Sequence, residues 1–546
     1  MHDERSSRLL SLVAKATRAR AEGDLAAAVR YAEAAAGERL MHPTLLRIRA
    51  EALGVAGNYD AAGQLLNKAL RLAPRDVATV LDLGRLLMAA DRGEEAVDAF
   101  KAATALDACS VESWRALGAA QAGEGWTDDA RHAFQRAAEL APRDPDPRAD
   151  LAFMEARAGH GAVAIALASE ALRLEPRHAV ATLALARVEL DGGEFESARM
   201  RLEPLLAQGR LTMRQRQTAM HMLADAMHGL GRTEQAFSLY GHVKQTFAAR
   251  HARRFGPNGT VENHLEFIAR LAAWFERQPA EAWQAPDTPE AESPVREHVF
   301  LIGYLRSGVT LVETILASLR DVRVLEEGGT LAAADLAFLK DEAALARLHP
   351  LDAEAAAQAR AAYWASVREA VPDVDGHIFV DMSPLYGIKL PMIARLFPAA
   401  RVVLCRRDPR DVVLSCFRRN FLANALTYRL TSLEGIARHY DAAMRLTERH
   451  VAALGLPMHE VDYEGLVANF EERTRALARF VGAEWSEEVR RFDRTAAARE
   501  ISTPSAAQVR RRLFDGSGQW RAYRAQLEPV LPVLAPWVEK FGYEPA

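Results

Sequence analysis

Cysteine is scarce in this 546-residue chain. Only Cys109, Cys405 and Cys416 are present, too few for a disulfide framework and too scattered for a metal-ligand cluster. No run of about 18 apolar residues exists to span a bilayer. The opening Met1-His2-Asp3-Glu4-Arg5-Ser6 has no apolar stretch behind it, unlike a secretory signal. Charge of one sign is not in excess either. The formal net charge is −4, which gives no global attraction for nucleic acid or an anionic membrane. These absences lead to the expectation of a cytoplasmic protein with no metal, no nucleic-acid partner and no membrane span. What is present is balanced. Hydrophobic residues make up 49% and charged residues 26%, and the length allows about two to four domains with cores of their own.

The first half is periodic. Ala28, Ala62, Ala96, Ala130, Ala164 and Ala198 each lie 34 residues apart. Five places upstream stand Gly23, Gly57, Gly125, Gly159 and Gly193, with Asp91 as the exception. Seven places downstream come Ala35, Ala69, Ala103, Ala137 and Ala171, and Pro74, Pro142 and Pro176 close their units. The spacing predicts a helix, a tight turn and a second helix. Alanines stand where paired helices approach closely, glycine permits the turn, and proline ends the second helix. The fullest copy, Trp114, Leu117, Gly118, Gly125, Ala130, Phe134, Ala137 and Pro142, resembles the tetratricopeptide repeat. Units of that kind stack into an all-α superhelix with a concave groove. The resemblance implies a peptide or protein ligand in that groove; propping up the second domain or self-association, as a homodimer, is the other use. The array is assigned to residues 1–250.

Residues 251–295 read as a connector. Asn263–Arg277 has apolar residues at helical intervals, and Gln278–Pro294 gathers Pro279, Pro286, Pro289 and Pro294, as an exposed linker does. From 296 to 546 the pattern changes. Val299-Phe300-Leu301-Ile302, ended by Gly303, reads as a buried parallel strand, and Leu311–Leu319 as a helix. Arg401–Cys405 followed by Asp411–Arg419 repeats the signature. Strand, loop and helix recurring in this order predict an α/β domain with a parallel sheet, whose ligands bind at the carboxyl ends of the strands.

Gly303–Thr310, reading GYLRSGVT, has the shape of a phosphate-binding loop. The amides of Arg306, Ser307, Gly308, Val309 and Thr310 can converge on an anion at a helix N-terminus. An ATPase or GTPase loop carries lysine just before the last hydroxyl residue; here that place holds Val309, and the loop's cation is Arg306. A second segment, Arg395–Phe421, puts Arg407 at a strand end and Ser415 on the next helix, with Arg418 and Arg419 a turn further on. Arginine with a hydroxyl suits a terminal phosphate, because a guanidinium donates two parallel hydrogen bonds.

The run VFLIGYLRSGVTLVETILAS resembles the opening strand–loop–helix of sulfotransferases that use 3′-phosphoadenosine-5′-phosphosulfate (PAPS). It is closest in character to the bacterial group with tetratricopeptide repeats and to the tyrosylprotein sulfotransferases. The resemblance implies that Arg306 and Ser307–Thr310 hold the 5′-phosphosulfate. It likewise implies that Arg407, Ser415 and Arg419 hold the 3′-phosphate, with Tyr463 in VDYEGLV and Arg510 in SAAQVRRRLFDGSGQWRAY near the nucleotide. The product would be 3′-phosphoadenosine 5′-phosphate, without a metal. Glu326 and Glu327 follow the first helix, and adjacent like charges raise a carboxyl pKa toward a useful value for a base. The family's catalytic glutamate falls 21 residues after the loop arginine, which selects Glu327, with Arg306 beside it in catalysis.

The chain departs from the family at three places. Leu305 stands where proline is usual, Val309 where threonine is, and Met382 in DMSP where a transition-state lysine is expected; Lys389 is a candidate replacement. Two readings follow. One is a sulfotransferase acting on an acceptor hydroxyl, with a peptide or protein acceptor favoured by the array. The other is a catalytically degenerate scaffold or interaction protein.

Overall fold

The computed structural model describes residues 2–209, 211–279, 283, 293–498 and 513–545. The chain divides into two compact units, Met1–Leu230 and Gly231–Ala546.

The first unit is a run of paired antiparallel helices whose phasing follows the sequence period. Ala28, Ala62, Ala96, Ala130, Ala164 and Ala198 are each fully buried, as are Ala35, Ala69, Ala103, Ala137 and Ala171. The five phased glycines take the left-handed conformation that the turn requires. Asp91 takes it too, at φ 56°, so the exception in sequence is no exception in backbone. Aspartate tolerates that region better than most residues. Large residues fill the gaps left by small ones. A Cβ on Gly84 would lie 2.4 Å from the Phe100 ring, so only glycine lets that pair of helices close. Pro74, Pro142 and Pro176 fall just past the helices Tyr59–Leu72, Thr127–Leu140 and Gly161–Leu174, where a missing N–H costs nothing.

The second unit opens with a 23-residue helix, Thr233–Phe255, and the amphipathic helix His264–Glu276, capped by the Asn263 side chain accepting from the Leu265 amide. Most of Gln278–Pro294 lies outside the described residues. A five-stranded sheet follows: β1 Glu297–Ile302, β2 Val322–Glu326, β3 Ile378–Met382, β4 Arg401–Arg406 and β5 Met458–Asp462. Its order is β2-β3-β1-β4-β5, and every pairing is parallel. Both faces carry helices, so β1 and β3 are buried almost throughout. Because all strands run one way, their carboxyl ends share one edge. That edge collects Glu326, Met382, the Gly303 loop, Arg406 and Asp462.

Candidate functional site

At the end of β1 the chain turns at Gly303 and enters the helix Val309–Ala317. Tyr304 and Ser307 brace the loop between them. The Ser307 hydroxyl donates to the Tyr304 carbonyl at 2.7 Å and accepts from the Tyr304 amide at 3.2 Å. Ser307 therefore stiffens the loop with its side chain. Val309 turns its side chain into the core of the unit, leaving only its backbone to the loop. The Val312 amide donates to the Gly308 carbonyl at 3.1 Å, and the amides ahead of it head the helix, where intrahelical acceptors run out. Gly308 has φ 98° and sits where a Cβ would come 2.9 Å from the Tyr463 ring; no other residue fits.

Arg306 has φ 68°, a left-handed conformation that costs a non-glycine residue about 1 kcal/mol or more. Its Nε donates to the Ser415 hydroxyl at 2.9 Å. Arg407, at the end of β4, donates from one terminal nitrogen to the Arg306 carbonyl at 3.3 Å and from the other to the Gly516 carbonyl at 2.6 Å. Its guanidinium lies 4.5 Å above the Tyr463 ring. The Tyr463 hydroxyl in turn donates to the Phe514 carbonyl at 3.0 Å. Loop, strand end and helix thus meet in one cleft lined by Arg306, Gly308, Thr310, Arg407, Ser415, Arg418, Arg419 and Tyr463, with Asp411, Phe514 and Gln519 among the remaining walls. It encloses about 800 Å³, part of it continuous with solvent, within the range of small-molecule sites. Arg510 lies outside the described residues.

The cleft is built for an anion. Burial first, then the neighbouring Arg419 and Arg407, pull the Arg306 pKa down to about 9. Asp411 is the acid on that wall. Burial pushes it up to about 6, and it accepts from the amides of Gly518 at 2.6 Å and Trp520 at 2.8 Å, so its oxygens are spent on the late loop. The Nε atoms of Arg407 and Arg418 are buried with no hydrogen-bond partner among the described residues. Buried donors left in this way are costly unless a ligand takes them up. The chemistry of these residues suits an anionic ligand. Among the described residues, no group of three or more histidine, cysteine or carboxylate side chains is placed to hold a metal ion.

Glu327 stands just past β2, with β3 between it and β1. It has φ 46°, and its amide donates to the Met382 carbonyl at 2.8 Å. Crowding of its carboxyl by neighbouring atoms first and Glu326 second push its pKa up to about 6, although the residue as a whole is exposed. It is not among the residues lining the arginine cleft. Met382 is fully buried in the core. Lys389 gives its ammonium to Asp335 at 2.5 Å.

Two family models match parts of the chain. Residues 298–487 match the model described as "Sulfotransferase family", and residues 56–120 match "Tetratricopeptide repeat". The chain joins tetratricopeptide repeats to a sulfotransferase-family domain. An uncharacterized protein of Aquifex aeolicus is 26% identical over 249 residues, 44% of this chain. The chain spans about a third of that relative's length, 32%. Among solved structures, a tetratricopeptide repeat protein from Parabacteroides merdae is 14% identical, with 44% of this chain and 93% of that one covered and a TM-score of 0.37. MamA from Desulfovibrio magneticus is 22% identical, with 31% and 96% covered and a TM-score of 0.28. The repeats indicate a capacity for protein interaction, and no helix among the described residues is long and apolar enough to cross a membrane.

Sequence reasoning missed several walls of the sulfotransferase-family domain's cleft. Asp411 lies in the Arg395–Phe421 segment and Phe514, Gly516 and Gln519 in SAAQVRRRLFDGSGQWRAY, but none of the four was picked out within its segment. The helix Thr233–Phe255, most of which falls within the residues 1–250 assigned to the array, supplies Tyr240 beneath Arg418, 6.0 Å from its guanidinium. It also supplies Lys244, whose ammonium donates to the Arg419 carbonyl at 2.6 Å. Lys244 lies within that helix, and nothing in the sequence marks it as buried.

Proposed function

We propose that this chain transfers a sulfuryl group from PAPS to a hydroxyl of an acceptor, a peptide or protein being the acceptor class that the repeats favour. The observation that carries the proposal is the meeting of Arg306 with Ser415, and of Arg407 with the Arg306 carbonyl, in a cleft with two unpartnered guanidinium donors. The helix-heading amides and Arg306 would hold the 5′-side, and Arg407, Ser415 and Arg419 the 3′-phosphate. Tyr463 would fix the Arg407 plane, and Arg510 is assigned to the same nucleotide on sequence alone. When bound, PAPS supplies an activated sulfuryl group.

The residues of the chain do the rest. The arginines face the negative charge that grows on a leaving phosphate, an electrostatic contribution that needs no reorganisation because the groups are already placed. Glu327 takes the proton of the acceptor hydroxyl. With its pKa raised to about 6, it is ionised at neutral pH yet basic enough for proton transfer. A cytoplasmic setting, where nucleotide co-substrates are at hand, belongs to the same proposal.

A second reading has an observation of its own. Met382 puts a thioether, buried in the core, where the family resemblance expects a cation, and Lys389 is tied to Asp335. Losing one such charge costs about 3 kcal/mol of transition-state stabilisation. The two readings separate on one experiment. The full-length chain is incubated with radiolabelled PAPS and a panel of phenolic, aliphatic and peptide hydroxyls, while calorimetry follows 3′-phosphoadenosine 5′-phosphate. Label transfer supports the enzyme; tight nucleotide binding with no transfer or hydrolysis selects the degenerate scaffold; no binding removes both.

A further inference from the structure

Beneath the Glu327 turn lies a buried polar chain that the proposed reaction does not use. Asp381, the penultimate residue of β3, is fully buried. Its Oδ2 accepts from the Thr330 hydroxyl at 2.6 Å and from the Tyr363 hydroxyl at 2.8 Å. Its Oδ1 has no partner among the described residues. His298 Nε2 lies 2.7 Å from the Tyr363 hydroxyl, and the Tyr386 hydroxyl lies 3.1 Å from that of Thr330. Each hydroxyl has one proton, which fixes the directions. Thr330 and Tyr363 give theirs to Asp381, so Tyr386 donates to Thr330 and His298 to Tyr363.

A buried carboxylate with an unsatisfied oxygen is a poor way to stabilise a fold, since an apolar residue of similar size costs less to bury. What it does here is local. Thr330 closes the turn Glu327-Gly328-Gly329-Thr330, in which Glu327 and Gly329 both have positive φ, 46° and 63°. A non-glycine residue keeps such a conformation only when its surroundings over-determine it. Two neighbouring residues of β3 do so: the Met382 carbonyl takes the Glu327 amide, and the Asp381 carboxylate takes the Thr330 hydroxyl.

We propose that Asp381 and Thr330 are positioning residues that clamp the Glu327 turn to the end of β3 and so fix where the Glu327 carboxylate stands. The proposal rests on the reading of Glu327 as the base. Its failure can be told from the failure of that reading, because the clamp has a signature that needs no turnover.

The test uses the full-length chain with Thr330→Val, which keeps the shape and removes the hydroxyl, and Thr330→Ser, which restores it. Thr330→Ala, also lacking the hydroxyl, takes the place of the valine variant if that does not fold. The probes are PAPS with 4-nitrophenol as acceptor, binding of 3′-phosphoadenosine 5′-phosphate, and amide hydrogen exchange over residues 325–331. We expect Thr330→Val to lower kcat about a hundred-fold, the loss that roughly an ångström of misplacement brings. KM for PAPS and product affinity should stay within about twofold, exchange at the Glu327 amide should rise about tenfold or more, and Thr330→Ser should restore both. Wild-type kcat in the valine variant overturns the proposal, as does equal loss of kcat and nucleotide affinity, which marks a general structural role. If the wild-type chain binds the product but transfers nothing, the enzyme reading falls. The clamp is then judged on exchange alone: faster in Thr330→Val supports it, unchanged overturns it.

Discussion

The Arg306 side chain reaches across from the β1 loop to the Ser415 hydroxyl, a 2.9 Å bond between residues 109 positions apart in the chain. That bond joins two segments that each resemble, alone, an ordinary charged loop. With Arg407 donating to the Arg306 carbonyl, the loop is locked to the helix that follows β4, and the arginines are held together without a full complement of acids. Such a cluster is stable only because the loop amides and ring faces hold it, and it gains most from an anion.

Arg407→Met should separate the two ends of the nucleotide. Hydrogen bonds to charged groups contribute about 1.5–3 kcal/mol, so 3′-phosphoadenosine 5′-phosphate should bind roughly tenfold to a hundred-fold more weakly. Adenosine 5′-phosphate, lacking the 3′-phosphate, should lose about threefold or less. Calorimetric titration of both ligands checks this, and equal losses would contradict the assignment of Arg407.

Glu327→Ala should cut transfer by about a hundredfold to ten-thousandfold, the contribution usual for a positioned base, while leaving product affinity unchanged. The pH profile carries the sign. Because the folded pKa is raised to about 6, the base is protonated and idle below that value, and kcat should rise from pH 5 to a plateau above 7. Glu326→Gln removes one of the two causes of the upward push, so the rising limb should move to lower pH. A limb that stays put would show that Glu326 does not act on Glu327.

In the repeats the close approach of Gly84 to Phe100 is a packing constraint with a cost attached. A Cβ there would meet the ring at 2.4 Å, and overpacking of this kind costs about 1–3 kcal/mol. Gly84→Ala should lower the urea midpoint of the full-length chain while leaving nucleotide affinity within error. An unchanged midpoint would show that the ring moves aside freely.

The array was legible because a period of 34 is a signal along one dimension, and even Asp91 kept the phase. Strands β1 and β4 were legible as apolar runs that end at Gly303 and Arg406. Strands β2 and β3 were not, since five residues such as Val322–Glu326 read equally well as a helix end or a loop. The site divides in the same way. Arg306, Arg407 and Ser415 were found through a loop shape and a fixed spacing within one element pair. Asp411 holds amides 107 and 109 positions away, and Lys244 reaches a carbonyl 175 positions away; nothing local in the sequence marks either. Position in the fold, not residue type, gave them their roles.

Lys244 shows what such a role costs. Its ammonium is buried under the end of the helix Pro409–Phe417, donating to the Arg419 carbonyl at 2.6 Å, and desolvation pulls its pKa down to about 8 from 10.5. The linkage follows from the direction of that shift. Below pH 8 folded and unfolded chains both carry the proton, so the burial penalty is fully present and flat with pH. Between 8 and 10.5 the unfolded chain still holds the proton and the folded chain has released it, so this group adds stability as pH rises. One pKa unit is about 1.4 kcal/mol, which puts the total at roughly 3 kcal/mol. Lys244→Met removes the charge and keeps the volume. The stability of the wild type minus that of the variant, from denaturant unfolding, should therefore be level from pH 6 to 7.5 and climb between 8 and 10.5. Thiol and phenol groups that titrate in that window are common to both proteins and drop out of the difference. A difference that stays level to pH 10.5 would mean that Lys244 keeps its proton, and that the Arg419 carbonyl, with that of Cys416 at 3.5 Å, holds the charge as firmly as water does.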